Sequence, residues 1–553
     1  MAAPASFNFA DVWEAVAAQV PDRTALVCGD RRLSYADLEG RANQLAHHLA
    51  GAGVGPGDHV GLFLRNGTEY LEAMLAAFKL RAVPVNINHR YVADELRHLI
   101  DDSAAVALLW STSLADAVAG LGAALGAMRA VVAVDDGVPA AVSAAVPVPG
   151  SAAYDDAIAD QPLSPPEVDG RSGDDHYLIY TGGTTGRPKG VLWRQEDAFF
   201  ACLGGGDPMR LQGPVARPGE LLDRIIDGTF CYLSIAPLMH AAGQWVSLSW
   251  LFAGGRVVLI GGSLNPEVVW QTVQDEQANL LTMVGDAVGR PLLDAWVAHP
   301  GRWDASSLFA LSNGGAPMSP SLKTQLSEAF GSVVLTDGFG SSETGAQGAQ
   351  RLEPGAAGRG SGLARFQPYD DTAVFDDDLA VVAPGSGAIG RVARRGRIPL
   401  GYLNDPERTA ATFVERAGER WVLTGDMATV DADGTIQLLG RGSQCINSGG
   451  EKVFPEEVEA ALHAHPGIAD VLVVGAPDER WGETVVAVAA PADGHQLVLE
   501  DLRASCRGSL AGYKLPTRLV VVDHVERSPA GKADYRWAKK MATGAEAGAA
   551  ADR

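Results

Sequence analysis

A glycine-rich segment, YTGGTTGRPKGV (residues 180–191), combines hydroxyl groups with cations directly after an apolar run. Glycines let backbone N–H groups approach oxygen atoms closely, threonine hydroxyls donate hydrogen bonds, and Lys189 supplies positive charge. The pattern predicts a phosphate-binding loop. It is not a Walker A loop, because Pro188 precedes the lysine and Gly190 follows it. A flexible glycine turn without a ligand is the alternative.

Four further residues suit nucleotide chemistry by their type and setting. Glu343, in LTDGFGSSETG, is a carboxylate of the kind that binds a divalent metal. Asp426, in WVLTGDMA, can accept hydrogen bonds from vicinal hydroxyls. Arg441 follows a short predicted strand, and Lys532 lies on a tight turn in RSPAGKADYRW. Each residue alone is more often a solvated surface or turn residue, so the prediction depends on their joint occurrence.

The ordered set of motifs resembles the adenylate-forming superfamily of acyl- and aryl-CoA synthetases, luciferases and adenylation domains of peptide synthetases. The resemblance covers essentially the whole chain and includes PLMH at 237–240, NGGAPMSP at 313–320 and GYLNDPERTAATF at 401–413. Within the superfamily, the chain looks most like actinobacterial acyl-CoA synthetases for fatty or sterol side-chain acids. The resemblance implies two steps: a carboxylate attacks the α-phosphorus of ATP to give acyl-AMP and pyrophosphate, and coenzyme A then displaces AMP.

The resemblance also implies which residues bind the phosphates. Ser342 would touch the α-phosphate, and Glu343 would hold Mg²⁺. Lys532 would bridge the carboxylate and the α-phosphate as charge builds in the transition state. The residues implied to hold the β- and γ-phosphates are Thr181, Thr184, Thr185 and Lys189. The residues implied to be catalytic are Lys532, Glu343, His240 and Thr185.

For the nucleoside, the resemblance implies that Asp337 meets the adenine amino group and that Phe339 stacks on the base. Gly315 and Ala316 would line the base, and the residues implied to bind ribose are Asp426 and Arg441. Phe339 replaces the commoner tyrosine of the superfamily, so stacking survives and a phenol hydrogen bond does not. Ser342 in place of threonine keeps its hydroxyl.

The implied acyl pocket contains His240, Trp245, Gly285, Asp286 and Gly314. Small neighbours suggest room for a bulky apolar acid, whereas Asp286 requires a polar partner or solvent. His240 would gate the pocket and help to bind the carboxylate, and a satisfied core histidine is the alternative.

The implied tunnel for the pantetheine arm of coenzyme A is formed by Gly449, Gly450 and Glu451. Gln444 stands at the hinge position where the superfamily usually has Asp or Lys, and it can absorb a backbone rotation. Asn447 replaces a lysine that many members carry. None of these departures removes a required group, so we expect an active enzyme.

Helical and strand patterns alternate along the chain, which is typical of layered α/β folds. LSYADLEGRANQLAHHLAG (33–51) has Ser34 as a candidate N-cap and apolar residues at helical spacing up to Gly51. We therefore predict an α/β fold with a large N-terminal domain of several subdomains and mostly parallel layered sheets. A smaller, mobile α+β domain follows. The predicted bounds are 1–440, 441–540 and a disordered tail at 541–553.

The charge balance constrains the partners. With 67 acidic and 44 basic residues among 553, the formal net charge is −23, which disfavours nucleic acid and anionic membranes as non-specific partners. Five cysteines without CxxC spacing predict a reducing, cytoplasmic setting. We expect no secretory signal and no transmembrane segment. The expected partners are a small carboxylic acid, ATP and coenzyme A, and a homodimer is one option for assembly.

Two other functions stay open on sequence. A stand-alone adenylating enzyme could transfer the acyl group to a carrier protein or an amine. A nucleotide-binding sensor without catalysis is the other, and the presence of Lys189, Glu343, Asp426 and Lys532 argues against it.

Overall fold

The structure is a computed structural model, and it describes residues 4–138, 148, 150–181, 188–228, 230–262, 264–316, 318–353, 363–448, 451–478, 481–527 and 532–549. Counts of elements below refer to these ranges.

The strands of the large domain, in chain order, are β1 (Thr24–Cys28), β2 (Arg31–Ser34), β3 (His59–Phe63), β4 (Val83–Asn86), β5 (Ala107–Ser111), β6 (Ala130–Val134), β7 (Ala152–Ala153), β8 (His176–Thr181), β9 (Lys189–Arg194), β10 (Cys231–Ser234), β11 (Arg256–Leu259), β12 (Leu280–Met283), β13 (Ala310–Asn313), β14 (Val334–Ser341), β15 (Gly345–Leu352), β16 (Arg365–Pro368), β17 (Thr372–Phe375), β18 (Gly390–Arg395), β19 (Gly401–Tyr402), β20 (Phe413–Arg416), β21 (Glu419–Val430) and β22 (Ile436–Arg441). Its α-helices are α1 (Phe9–Gln19), α2 (Tyr35–Gly51), α3 (Thr68–Lys79), α4 (Ala93–Ser103), α5 (Ala115–Ala119), α6 (Ala123–Gly126), α7 (Tyr154–Ala159), α8 (Gln195–Ala201), α9 (Ala241–Phe252), α10 (Pro266–Asp275), α11 (Gly285–Ala298), α12 (Pro320–Ala329) and α13 (Pro406–Thr412).

The elements of the small domain are β23 (Ile446–Ser448), β24 (Glu451–Val453), α14 (Pro455–Leu462), β25 (Ile468–Asp478), β26 (Gly482–Pro491), α15 (Leu499–Cys506), β27 (Arg518–Val521) and α16 (Tyr535–Ala549). Four short 3₁₀ helices lie at Thr112–Leu114, Pro218–Arg224, Gly442–Gln444 and Gly512–Lys514.

Helix α2 begins at a capping box and buries one apolar face. The Ser34 hydroxyl accepts a hydrogen bond from the Asp37 N–H at 3.0 Å, and the Asp37 carboxylate accepts one from the Ser34 N–H at 2.9 Å. This capping box satisfies two backbone donors at the helix N-terminus. Leu38, Leu45 and Leu49 are buried on one face, so the predicted helix is confirmed.

Two large sheets build the N-terminal domain. One has eight strands in the order β19-β9-β8-β4-β3-β5-β6-β7, and its central strands are parallel. The other has fourteen strands, of which β11, β10, β12, β13 and β14 run parallel to their neighbours in this series. Helices α1, α2, α3 and α9 bury their apolar faces in the largest core cluster, beside strand β8. The predicted α/β class is confirmed.

The parallel order ends at β14. Strands β15 to β18 and β20 to β22 pair antiparallel, in hairpins and longer connections, so the second half of the large sheet is not of the parallel type that we expected. Short connections without crossover helices allow only antiparallel neighbours.

The small domain is an α+β unit in which β25 and β26 form a long antiparallel hairpin, with β27 parallel to β26. Its final helix, α16, continues through residues 541–549, where the sequence predicts a disordered tail, and residues 550–553 lie outside the described ranges. No helix within the described ranges is long and apolar enough to cross a membrane.

Candidate active site

Several parallel strands end directly before the motifs that the sequence singled out. Strand β8 ends at Thr181, β10 precedes PLMH, β13 ends at Asn313 before NGGAP, and β14 leads into SSETG. In parallel α/β sheets, ligands bind at the carboxyl ends of the strands. The topology therefore gathers segments that lie far apart in sequence at one edge of each sheet.

Strands β8 and β9 hold the two ends of the glycine-rich segment. They are antiparallel neighbours, with Thr181 opposite Lys189 in the register. Thr184 and Thr185, which the resemblance assigns to the β- and γ-phosphates, lie outside the described residues. Their role stays a prediction, whereas the position of Lys189 at the start of β9 is defined.

Lys189, Glu343 and Tyr402 form a compact polar cluster. The Lys189 Nζ lies 2.9 Å from the Glu343 Oε1, and it donates a hydrogen bond to the Tyr402 hydroxyl at 2.9 Å. That hydroxyl donates to Glu343 Oε1 at 3.0 Å, and the Lys189 ammonium lies 4.2 Å from the centre of the Tyr402 ring. The predicted phosphate-binding lysine and metal-binding carboxylate are thus in direct contact.

The electrostatics keep Glu343 ionised. Burial alone raises the pKa of a carboxyl group, but the Lys189 ammonium and the hydrogen bonds from Lys189 and Tyr402 outweigh it, so the pKa of Glu343 lies below its usual value. An ionised carboxylate is the ligand that Mg²⁺ prefers.

The donor set fits a magnesium ion that arrives with ATP. Within the described part of the chain, no group of three or more His, Cys, Asp or Glu side chains is arranged to hold a metal. Mg²⁺ usually binds through one or two protein carboxylates, with substrate phosphates and water as its other ligands. Glu343 can provide that carboxylate, and Mg²⁺ binding stays a prediction.

Tyr402 is a site residue that the sequence analysis missed. It lies in GYLNDPERTAATF, a segment used there only as a family motif. The antiparallel pairing of β19 with β9 brings its hydroxyl to Lys189, and its backbone N–H donates to the Thr409 hydroxyl at 2.9 Å. A phenol in a quoted motif was the available signal, but its partners depend on long-range pairing.

At the predicted adenine site, Asp337 already has protein partners. Its Oδ1 accepts a hydrogen bond from the Asn313 amide at 2.7 Å, and its Oδ2 lies 2.5 Å from the Lys323 ammonium. Asn313 also donates to the Ala316 carbonyl at 2.9 Å. Asn313 and Lys323 therefore position the predicted adenine-binding carboxylate, and the sequence analysis assigned no role to either side chain.

The aromatic and glycine positions beside Asp337 are compatible with a planar base. Phe339 stacks on Phe366 with ring centroids 4.5 Å apart, so one face of its ring is covered by protein. Gly315 has a φ of +82°, a conformation that favours glycine. The stacking of Phe339 on adenine stays a prediction.

Asp426 and Arg441 are neighbours, as a shared ribose site requires. They are register partners on β21 and β22, and the Arg441 Nε lies 3.3 Å from the Asp426 Oδ1. Asp426 is largely buried, and Arg441 is more exposed at the start of the small domain. The Arg441 N–H donates to the Glu456 carboxylate at 3.3 Å, which ties α14 to the end of β22.

Lys532 is an exposed residue within electrostatic range of these groups. Desolvation and the Arg441 cation lower the pKa of its amine, and the carboxylates of Glu343 and Asp426 oppose this effect. These interactions bring the Lys532 amine of the small domain under the influence of the predicted metal-binding and ribose-binding carboxylates of the large domain.

Ser342 and His240 complete the edge of the site. The Ser342 carbonyl accepts a hydrogen bond from the Trp193 indole at 3.0 Å, which anchors the SSETG turn to β9. His240 is the N-cap residue of α9, and its Nε2 is buried without a hydrogen-bond partner among the described residues. Burial, with Lys532 and His89 nearby, lowers the pKa of His240 to about 4. The ring is therefore neutral near pH 7.

Several other residues of the predicted acyl pocket make polar contacts within the protein. The Trp245 indole nitrogen is buried without a partner among the described residues, and Gly285 donates its N–H to Asn313 at 2.7 Å. The Asp286 carboxylate accepts a hydrogen bond from the Ser319 N–H at 2.7 Å, and it interacts with cationic groups of the small domain. Asp286 thus has the polar partner that a site beside an apolar acid requires. Gly314 donates its N–H to the Met283 carbonyl at 3.3 Å.

The predicted pantetheine tunnel is only partly described. Glu451 is an exposed residue at the start of β24, and Gly449 and Gly450 lie outside the described residues. Their role in coenzyme A binding stays a prediction. Nearby, Gln444 ends a 3₁₀ turn, and the Asn447 N–H donates to the Glu483 carboxylate at 2.9 Å.

Comparison with known protein families identifies the enzyme family. The model of the family described as "AMP-binding enzyme" matches residues 13–403, and that of its C-terminal domain matches residues 457–532. The chain belongs to the family of AMP-binding enzymes. The resemblance to adenylate-forming enzymes that the motifs predicted is confirmed.

Curated relatives of this AMP-binding enzyme include several actinobacterial ligases. A 3-oxocholest-4-en-26-oate–CoA ligase of Rhodococcus rhodochrous is 43% identical over 549 residues, covering 97% of this chain and 96% of the relative. The medium-chain acyl-CoA ligase Mig of Mycobacterium avium is 42% identical over 554 residues, covering 97% and 98%.

Solved structures show the same fold. An anthranilate CoA ligase in complex with anthranoyl-AMP superimposes with a TM-score of 0.81 at 23% identity, covering 98% of this chain and 99% of that one. An amide bond synthetase, McbA from Marinactinospora thermotolerans, superimposes with a TM-score of 0.77 at 26% identity, covering 96% and 99%.

Proposed function

We propose that this AMP-binding enzyme is an ATP-dependent acyl-CoA ligase for a hydrophobic carboxylic acid, either a fatty acid or a steroid side-chain acid. The observation that carries the proposal is the contact of Lys189 with Glu343, with Lys532 in electrostatic range of Glu343 and Asp426. Relatives at 42–43% identity over nearly the full chain are named as CoA ligases for such acids.

In the first half-reaction, an oxygen of the acid carboxylate attacks the α-phosphorus, and the bond from that phosphorus to the pyrophosphate oxygen breaks. Lys189 binds the departing phosphates, and Lys532 compensates the charge that builds between the carboxylate and the α-phosphate. When bound, Mg²⁺ would neutralise phosphate charge. His240, which is neutral, can donate or accept a hydrogen bond at the carboxylate without adding charge.

In the second half-reaction, the sulfur of coenzyme A attacks the acyl carbon, and AMP leaves as the thioester forms. Asp426 and Arg441 hold the ribose of the adenylate in place. The small domain must present a different surface to the acyl carbon, since Lys532 serves only the first half-reaction.

A second candidate is an adenylating enzyme that transfers its acyl group to an amine or a carrier protein. One observation favours the amine: an amide bond synthetase shares the fold at a TM-score of 0.77. Its identity is 26%, well below that of the named CoA ligases, so we place it second.

Release of AMP should be measured with and without coenzyme A for octanoic, palmitic, ferulic and 3-oxocholest-4-en-26-oic acids. We expect coenzyme A to stimulate AMP release and a CoA thioester to form with the fatty or steroid acids. Accumulation of acyl-AMP without thioester for every acid would overturn the proposal. Amide formation with an added amine, in its place, would support the second candidate.

A further inference from the structure

The buried side-chain amide of Asn86 joins the two halves of the candidate site. Asn86 ends strand β4, and its side chain is 3% exposed. Its Nδ2 donates hydrogen bonds to the Tyr180 carbonyl at 2.9 Å and to the Met239 carbonyl at 2.7 Å. Its Oδ1 accepts one from the Tyr180 N–H at 2.7 Å.

These backbone partners fix the orientation of the Asn86 amide, because a carbonyl can meet only Nδ2 and an N–H can meet only Oδ1. Both donors of the Asn86 side-chain amide are used. In the parallel pair of β4 and β8, Val85 lies opposite Leu178. One residue further along β4, the Asn86 side chain forms the hydrogen bonds to β8 that a peptide group would otherwise form.

Each partner directly precedes a residue of the reaction. Tyr180 precedes Thr181, at the entry to the predicted phosphate loop, and Met239 precedes His240, at the predicted carboxylate gate. We infer that Asn86 is a positioning residue that fixes the predicted carboxylate gate relative to the loop predicted to hold the β- and γ-phosphates of ATP. The inference rests on the proposed adenylation reaction.

The chemistry of the two half-reactions gives this inference a specific consequence. In adenylation, two separate molecules must be aligned, and a misplacement of about 1 Å can cost about a hundredfold in rate. In thioester formation, the acyl group and AMP are already covalently joined, so the relative position of their two sites matters much less. Asn86 should therefore affect the first half-reaction selectively.

The chain offers a matched control in Asn66. Its Oδ1 accepts a hydrogen bond from the Leu238 N–H at 2.9 Å, and its amide donates to the Ile260 carbonyl at 3.2 Å. Asn66 thus holds the loop before His240, as Asn86 does, but these contacts do not involve β8. A second link to β8 passes through Gln244, whose amide contacts the Leu238 carbonyl and the Tyr177 hydroxyl, and it should limit unfolding of the loop.

Asn86→Ala and Asn66→Ala should be compared by ATP–pyrophosphate exchange with octanoic acid, and by thioester formation from supplied octanoyl-AMP. For Asn86→Ala we expect adenylation kcat to fall about a hundredfold, with thioester formation and the separate affinities for ATP and octanoate little changed. For Asn66→Ala we expect a raised KM for octanoate with adenylation kcat little changed.

Equal loss of both half-reactions in Asn86→Ala, unchanged adenylation, or an equal loss of adenylation kcat in Asn66→Ala would overturn the inference. If thermal melting shows that Asn86→Ala is not folded, Asn86→Ser is measured in the same two assays, and the same outcomes decide. Absence of acyl-AMP from the wild-type protein with every acid would instead contradict the proposed function.

Discussion

At the residue scale, His240 and His89 are two histidines whose pKa values burial and nearby cations lower to about 4. The unfolded chain binds these protons near pH 6.5, so between about pH 4 and 6.5 the folded state binds fewer protons than the unfolded state. The free energy of unfolding should therefore rise with pH across this window and fall as the pH drops from 6.5 towards 4.

Urea unfolding between pH 4.5 and 7 measures this effect. His89→Asn should reduce the pH slope of the unfolding free energy by up to about 1.4 kcal/mol per pH unit, since one proton is no longer linked to folding. A slope in His89→Asn equal to that of the wild type would contradict the prediction.

Tyr402→Phe removes one hydroxyl and keeps the ring against which Lys189 packs. We expect the KM for ATP in pyrophosphate exchange to rise about tenfold, equivalent to ~1.4 kcal/mol, because the hydroxyl orders both Lys189 and Glu343. The KM for the acid and the melting temperature should change little. A parallel rise in the KM for the acid would show that the hydroxyl supports the whole site rather than its phosphate side.

Residue types at the phosphate and metal positions were predictable, and their supporting partners were not. Lys189 and Glu343 have the charge that phosphate and Mg²⁺ require, so motif and chemistry point to them. Tyr402 and Asn86 act through contacts to residues far away in the chain, which a single sequence does not reveal. Asp337 shows the same limit, because its ion pair with Lys323 is set by the packing of α12 on the sheet.

At the element scale, the turn between β14 and β15 depends on Gly345, which follows Glu343, the predicted metal-binding carboxylate, by two residues. Its φ is +65°, and an added Cβ would lie 2.7 Å from the Ala201 carbonyl oxygen in the adjacent segment. Gly345→Ala should lower the unfolding free energy by about 1–2 kcal/mol from backbone strain alone. Because the turn must also move away from Ala201, we expect the rate of acyl-AMP formation to fall by more than about tenfold.

Gly434→Ala distinguishes the effect of backbone strain from the effect of moving a turn. Gly434 has a φ of +85°, but an added Cβ there meets nothing within 4 Å. This variant should lose similar stability in urea unfolding and keep its rate of acyl-AMP formation. If both variants lost adenylation equally, the collision with Ala201 would not be the cause.

Elements with strong local signals were predicted well. The capping residue Ser34 and the apolar spacing up to Gly51 gave helix α2. The antiparallel half of the large sheet was not predicted. Some of its pairs are hairpins, but others, such as β16 with β22 and β18 with β21, join strands that lie far apart in the sequence, and each strand alone does not indicate its neighbour's direction.

At the scale of the whole molecule, charged groups of the two domains interact with each other. Asp286 of the large domain interacts with His463 and Arg527 of the small domain, and Arg527 forms a two-point ion pair with Asp470 at 2.6 and 2.8 Å. The family motifs predicted both domains, but these electrostatic interactions between the domains are visible only in the three-dimensional structure.

Lys532→Ala tests whether interaction between the domains serves one half-reaction. The amine lies near Glu343 and Asp426, where charge builds only while the carboxylate attacks the α-phosphorus. We expect acyl-AMP formation to fall by at least about a thousandfold, in line with the loss of a group that stabilises transition-state charge. Thioester formation from supplied acyl-AMP should stay near the wild-type rate, because that step requires a rotated small domain.

Single-turnover assays with radiolabelled ATP, and with synthetic acyl-AMP plus coenzyme A, measure the two steps separately. Lys539→Ala removes an exposed lysine from helix α16 of the same domain and should leave both steps unchanged. Equal loss of both half-reactions in Lys532→Ala would mean that the lysine supports a single arrangement of the domains. Selective loss of adenylation would instead support a reorientation of the domains between the two steps, since the Lys532 amine would then serve only the first step.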